Sequence, residues 1–410
     1  MSRIFVISYR KCLGPVGGGT GVNFKLYLAN RQYGLLEDCY HIFMDKVITP
    51  EMDQVSYSRL GSNAKAPKTG LRAILSRMGM AWISKHKAYR KRIRSYFQEL
   101  DQTHRFTAED VYLFQDVESA YEFMKLFPYC KRTVLIYHQQ GSLYNEWHSF
   151  NSFDLPAYRK YLNRYSEEAY RKVQVLAFPS MGAKESLLQS ESYFEKVLQR
   201  PIQVLYNGFT KPSLPDDSDA IKALRQKLEG FDGYKFATVS ALNEAKGVER
   251  IPEFLAQVGK FHPFRWIIVG SGVKAAELEK NIEKYGIGDS VIWIREPMPH
   301  DDILKIFSRT DHYILFHRFS IFDYSTIEAM SYGNIPVLTP IGGNREVIIE
   351  DNGVFVEDFG SAEGFRQFMA KAPLEELKNQ NRQLQERCFS DEAFLRRYQT
   401  LVQTMQREVH

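Results

Sequence analysis

Residues 236–272 read FATVSALNEAKGVERIPEFLAQVGKFHPFRWIIVGSG, and this stretch decides the fold. The runs Phe236–Ser240 and Trp266–Gly270 are almost continuously apolar, as strands covered on both faces must be. Between them, Val248–Val258 carries apolar residues at helical spacing. Strand, helix and strand in that order make one parallel crossover unit. The same alternation runs along the whole chain. Toward the N-terminus, Ile4–Ser8, Tyr40–Phe43, Val111–Phe114, Thr133–Tyr137, Val175–Phe178 and Ile202–Tyr206 predict strands. Toward the C-terminus, Val291–Ile294, Tyr313–Phe316, Pro336–Thr339 and Val354–Val356 do so, with Asp301–Phe307 as a helix. The expected class is α/β, with two doubly wound Rossmann-like domains facing across a cleft.

The break between the two sets falls at Asn207-Gly208 and the following Lys211-Pro212-Ser213-Leu214-Pro215-Asp216-Asp217, rich in turn formers and poor in apolar residues. This gives a first domain over 1–207 and a second over 208–385. The polar helical pattern of Glu375–Glu408 ends in a tail, 386–410, expected to cross back to the first domain.

Composition narrows the class. The chain has 410 residues, 44% hydrophobic and 25% charged, which excludes disorder and collagen-like repeats. A net charge of +5 is too small to argue for nucleic acid. Cys12, Cys39, Cys130 and Cys388 lie far apart with no CxxC, so neither a zinc ribbon nor a disulfide scaffold is implied, and a reducing cytoplasm is the expected setting. No window of 18 apolar residues exists, and Ile4–Ile7 is too short for a signal-peptide core.

In parallel sheets, ligands gather at the loops that follow strands. Gly17-Gly18-Gly19-Thr20-Gly21 follows the first strand, and its glycines allow close approach of the backbone to an anion. The spacing fits neither the P-loop nor GxGxxG, and a flexible βα loop explains it as well. His138 ends the Thr133–Tyr137 strand, where it either meets a substrate hydroxyl or caps the strand. Lys246-Gly247 sits on the loop after Phe236–Ser240, where a lysine can neutralise a diphosphate. Gly270-Ser271-Gly272 is a close-approach loop or a simple turn. In the stretch Phe322–Met330 a helix begins, offering free amides and a positive dipole end to a phosphate. Glu328 there is suited to a ribose diol, while Ser325-x-x-Glu328 also reads as a capping box.

In this order, these pieces resemble family-four glycosyltransferases (group 1) of the GT-B fold, bacterial polysaccharide type. The markers are Gly17-Gly18-Gly19, His138, Asn207-Gly208, Lys246-Gly247, Ile268-Val269-Gly270-Ser271-Gly272, Glu328-Ala329-Met330, Gly333, Pro336, Gly342-Gly343 and Glu346. The resemblance implies transfer of a sugar from a nucleotide diphosphate sugar with retention of configuration, with no metal and no cofactor beyond the donor. It implies His138, Lys246 and Glu328 as catalytic residues, on the donor sugar, the diphosphate and the ribose respectively. The implied donor-binding set is Gly18, Gly19, Gly270, Gly272, Arg318, Ser320, Ser325, Thr326 and Gly343. Two positions depart from the family pattern. Ser320 stands where the first of two glutamates eight apart is usual, and Ala241 stands where an arginine five before the lysine is usual. Arg318 is the expected substitute for the missing positive charge. These departures keep open a second reading, a non-catalytic GT-B subunit that binds acceptor or a partner transferase. A sugar-nucleotide epimerase is disfavoured, since its catalytic carboxylates are not apparent.

Residues 54–98 hold eleven Lys/Arg and no Asp or Glu, leaving 43 basic against 49 acidic side chains elsewhere. Leu71, Ile74, Leu75, Met78 and Trp82 recur at helical spacing. A basic amphipathic helix with Trp reads either as an element for an anionic membrane surface or as a helix packed on the first domain with its charge solvated. The first reading suits a glycan acceptor that is lipid-linked, and a cytoplasmic protein peripheral at the inner face of the membrane. No nucleic-acid partner is expected.

Overall fold

Nearly every apolar run forms a strand, and those buried on both faces occupy the middle of their sheets. The computed structural model describes residues 2–9, 19–44, 46–52, 80–139, 141–148 and 154–407. The chain divides into two compact units: Met1–Tyr206 together with Phe394–His410, and Asn207–Ala393.

The first unit contains β1 (Ile4–Ile7), β2 (Cys39–Phe43), β3 (Lys46–Ile48), β4 (Val111–Phe114), β5 (Thr133–Ile136), β6 (Val175–Phe178) and β7 (Gln203–Val204), in the order β3-β2-β1-β4-β5-β6-β7. All neighbours are parallel except β2 and β3. Every residue of β1, β4 and β5 is buried, which explains their lack of alternation. β3 was not expected; a three-residue edge strand is too short to carry a period.

The second unit contains β8 (Tyr234–Val239), β9 (Phe264–Val269), β10 (Val291–Ile294), β11 (His312–Leu315), β12 (Ile335–Leu338) and β13 (Val354–Phe355), all parallel, in the order β10-β9-β8-β11-β12-β13. Numbering runs outward in opposite directions from the β8/β11 pair. This is the topological switch point of the sheet, and the β1/β4 pair is its counterpart in the first unit. Loops leaving the carboxyl ends of such a pair part to opposite sides and leave a crevice.

The C-terminal pattern is two helices, Leu374–Phe389 and Asp391–Arg407, not one. Ser390 is extended (φ −71°, ψ 163°) and its hydroxyl accepts from the Ala393 amide at 3.1 Å, capping the second helix. From Phe394 onward that helix belongs to the first unit, where Gln399 donates to the Leu35 carbonyl and Tyr398, Leu401, Val402 and Met405 are buried.

The basic segment is described from residue 80 onward; residues 54–79, including Leu71, Ile74, Leu75 and Met78, lie outside the described residues. The helix Met80–His104 buries His86, Ile93, Phe97 and Leu100. Two of its cations also turn inward: Arg90 and Arg94 both pair with the fully buried Glu122 of the helix Val117–Leu126. Its charge is thus not all solvated. Lys85, Lys87, Lys91 and Arg92 remain exposed. No helix among the described residues is long and apolar enough to cross a membrane.

Candidate functional site

In the second unit, the loops after β8 and β11 are sewn together at the switch point. The Arg318 amide donates to the Ala245 carbonyl at 2.9 Å. Gly247 adopts φ 59°, and a Cβ there would stand 2.0 Å from the Phe316 carbonyl oxygen, so only glycine lets the loops approach this closely. Gly270 and Gly272 back onto the loop after β8 in the same way, against the Ser240 and Leu242 carbonyls.

This packing brings Lys246 to the start of the helix Tyr324–Ser331. Its ammonium donates to Asp323 Oδ1 at 2.8 Å and lies 3.3 Å from His317 Nε2. The other carboxylate oxygen, Oδ2, accepts from the Thr326 amide (3.1 Å), the Thr326 hydroxyl (3.0 Å) and the Tyr313 hydroxyl (3.2 Å). Asp323 is therefore the N-cap, and Thr326 occupies the third helical position. This corrects the capping-box reading: Ser325 does not cap the helix, and Glu328 lies beyond the position such a box requires.

The electrostatics follow from burial. Burial alone would raise the Asp323 carboxyl, but the Lys246 charge and the bonds to His317 and Lys246 outweigh it and hold the group well below its usual range. His317 is fully buried, and the loss of solvent lowers its pKa against the pull of Asp323. It is neutral at neutral pH, with Nε2 set between the Lys246 ammonium at 3.3 Å and Asp323 Oδ1 at 3.6 Å. The Asn344 side-chain amide lies 3.3 Å from Nδ1 and donates to the Thr339 carbonyl, fixing the ring from behind.

Glu328, largely buried, meets His300 with Oε1 3.0 Å from Nε2. The Ser320 hydroxyl is buried and has no hydrogen-bond partner among the described residues. The Gly343 amide donates to the Ser320 carbonyl at 3.2 Å, and a Cβ on Gly343 would strike the Ile321 carbonyl. Ser325 and Thr326 form the first turn of the helix beside Lys246.

Arg318, like Lys246, is held in ion pairs. Its guanidinium pairs with the buried carboxylate of Glu249 and, at 3.3 Å, with Glu244, which in turn pairs with Lys274 at 2.6 Å. The expected substitute charge thus already has carboxylate partners and remains 30% exposed.

In the first unit, His138 follows β5 and lies beside the β1/β4 switch point, with Nε2 2.6 Å from Gln115 Oε1. Next to it, Asp116 caps the helix Val117–Leu126 and accepts from the Tyr9 amide after β1 at 3.2 Å. Gly18 lies outside the described residues, and Gly19 opens the helix Gly19–Tyr33. Among the described residues no group of three or more His, Cys, Asp or Glu side chains is placed to hold a metal ion.

Sequence reasoning assigned no role to His317, Asp323, Tyr313 or His300. Asp323 had a legible signal: Asp followed three residues later by Thr at a helix start. The others announce themselves only through contacts across the fold.

Residues 221–387, most of the second unit, match the family model described as glycosyl transferases group 1. The Vi polysaccharide biosynthesis protein VipC/TviE of Salmonella typhi is 28% identical over 171 residues, 40% of this chain and 28% of that protein. The gpi3 subunit of the phosphatidylinositol N-acetylglucosaminyltransferase of Schizosaccharomyces pombe is 28% identical over 135 residues, 33% of this chain and 27% of that protein. The match thus spans little more than a quarter of each relative's length. Over nearly the whole chain the structure resembles the sucrose-phosphate synthase of Thermosynechococcus elongatus, with a TM-score of 0.63, 14% identity and 99% of both chains covered. It also resembles HepE of Anabaena, solved in complex with UDP, with a TM-score of 0.60, 14% identity, and 98% of this chain and all of that one covered. These likenesses establish the fold, and with the family match the conclusion is that the chain has the GT-B fold and that its second unit is a glycosyl transferases group 1 domain.

Proposed function

We propose that the chain transfers a sugar from a nucleoside diphosphate sugar to a glycan acceptor. The observation that carries this reading is the convergence, at the β8/β11 switch point, of the Lys246 ammonium and the amide end of the helix Tyr324–Ser331. A lysine beside a helix N-terminus offers a diphosphate an ammonium and a dipole end, the ammonium being shared with the Asp323 carboxylate. Glu328 is assigned to the ribose, His138 to a hydroxyl of the donor sugar, and Gly270, Gly272, Ser320, Ser325, Thr326 and Gly343 to the donor. The related fold of HepE carries UDP, and a relative takes part in Vi polysaccharide synthesis; both support this substrate class.

The finer reading is retention of configuration without a metal. The leaving diphosphate helps to deprotonate the acceptor, and the protein positions the reactants and stabilises charge. The acceptor is lipid-linked, and the exposed Lys85, Lys87, Lys91 and Arg92 rest on an anionic bilayer, at the cytoplasmic face. The test is a thermal-shift and donor-hydrolysis screen of the purified chain against UDP, GDP and their sugars. Stabilisation by one nucleotide family together with release of free sugar is expected. Stabilisation without turnover, in the presence of acceptor lipid extract, would favour a non-catalytic subunit, a reading supported by Ser320, Ala241 and the ion-paired Arg318. Absence of both responses would defeat the transferase reading and leave the subunit that binds acceptor or a partner transferase.

A further inference from the structure

The Asp323 carboxylate divides its work between its two oxygens. Oδ2 serves the fold, accepting from the Thr326 amide and hydroxyl and from Tyr313. Oδ1 faces the Lys246 ammonium at 2.8 Å and the His317 imidazole at 3.6 Å. An internal anion thus sits on the same two features, a lysine and a helix N-terminus, that the functional reading gives to a diphosphate. With His317 neutral, Asp323 and Lys246 cancel, and the cluster presents no net charge to an incoming phosphate. The lysine side chain is 29% exposed while that of Asp323 is 9% exposed, so a ligand reaches the cation without first uncovering its partner.

We infer that Asp323 is a built-in counter-anion that weakens the hold of Lys246 on a nucleoside diphosphate. It keeps the ammonium in place when the site is empty and competes for it when the nucleotide arrives. The spent nucleotide is therefore released more readily than a lone lysine would allow. This rests on the functional reading above and names a positioning residue for it.

The division of labour between the oxygens makes the test clean. In Asp323→Asn the side-chain carbonyl still caps the helix and accepts from Tyr313, while the amide turned toward Lys246 carries no charge and, being a donor itself, cannot hold the ammonium. Removing one unit of negative charge within a few ångströms of a part-exposed ammonium is expected to tighten binding of UDP or GDP about tenfold or more. Isothermal titration calorimetry on the full chain measures this, with uridine and guanosine as probes lacking phosphate, whose affinity is expected not to change. In a Lys246→Ala background the gain is expected to vanish. Should Asp323→Asn fail to fold, Asp323→Ser keeps an oxygen cap without charge and carries the same expectation. Equal or weaker nucleotide binding by the folded variant, or a gain that persists without Lys246, overturns the inference while the functional reading stands. A wild-type chain that binds neither nucleotide overturns both.

Discussion

At the scale of single residues, the region around Lys246 makes separable demands. Lys246→Ala removes the cation assigned to the diphosphate and is expected to weaken UDP or GDP binding more than tenfold by calorimetry. It also leaves Asp323 nearly buried without its ion pair. The remaining donors, Tyr313 and Thr326, limit the loss of stability to about 1–3 kcal/mol in urea unfolding. Asp323→Ala instead deletes the cap and is expected to cost about 1 kcal/mol or more, whereas Glu328→Gln leaves the melting temperature near that of the wild type and lowers nucleotide affinity. A helix capped by Glu328 would reverse that order. Gly247→Ala forces a Cβ onto the Phe316 carbonyl at a left-handed φ and is expected to cost more than about 1–2 kcal/mol, with lost nucleotide binding. The importance of Lys246 and Gly247 was legible in the sequence because both stand directly after a strand of obvious character. The anion held by the lysine was not, since 77 residues separate it from Asp323 and no local period links them.

At the scale of elements, buried ionisable groups are the features that periodicity conceals. The helix Met80–His104 reads as a basic surface element, yet Arg90 reaches a carboxylate with no solvent exposure. Arg90→Met leaves the buried Glu122 with Arg94, at 3.3 Å, and the Tyr165 hydroxyl, at 3.2 Å, and is expected to cost roughly 3 kcal/mol, measured by urea denaturation. His312 on β11 is a second case. Burial among Tyr234, Phe236 and Phe365 pushes its pKa down to about 3 from 6.5, with Asp311 pulling upward and Lys378 and His262 downward. The folded state refuses a proton that the unfolded chain accepts. Its contribution to stability is complete above pH 6.5 and is lost progressively as the pH falls toward 3. His312→Phe is expected to flatten the melting temperature of the second unit between pH 6 and 4, where the wild type declines. The strands themselves were readable because a run buried on both faces needs no partner to explain it. Helix ends were harder: Asp323 and Ser390 set boundaries through side-chain caps.

At the scale of the whole molecule, the alternation of strands and helices made the two-sheet α/β class legible, and the turn-rich stretch after Asn207 marked one crossing between the units. The exposed Lys85, Lys87, Lys91 and Arg92 lead to a further expectation: the chain sediments with anionic vesicles, and less so as salt rises. Binding to neutral vesicles alone, or none, would count against a membrane role for this face. The second crossing, between Ala393 and Phe394, has a consequence for biosynthesis. Tyr398, Leu401, Val402 and Met405, which fill part of the first unit's core, are made only after the whole of the second unit. On the ribosome the second unit has everything it requires to mature while the amino-terminal sheet still waits with an uncovered apolar surface. Chains ending prematurely near residue 393 would lack these side chains and keep that apolar surface open to aggregation.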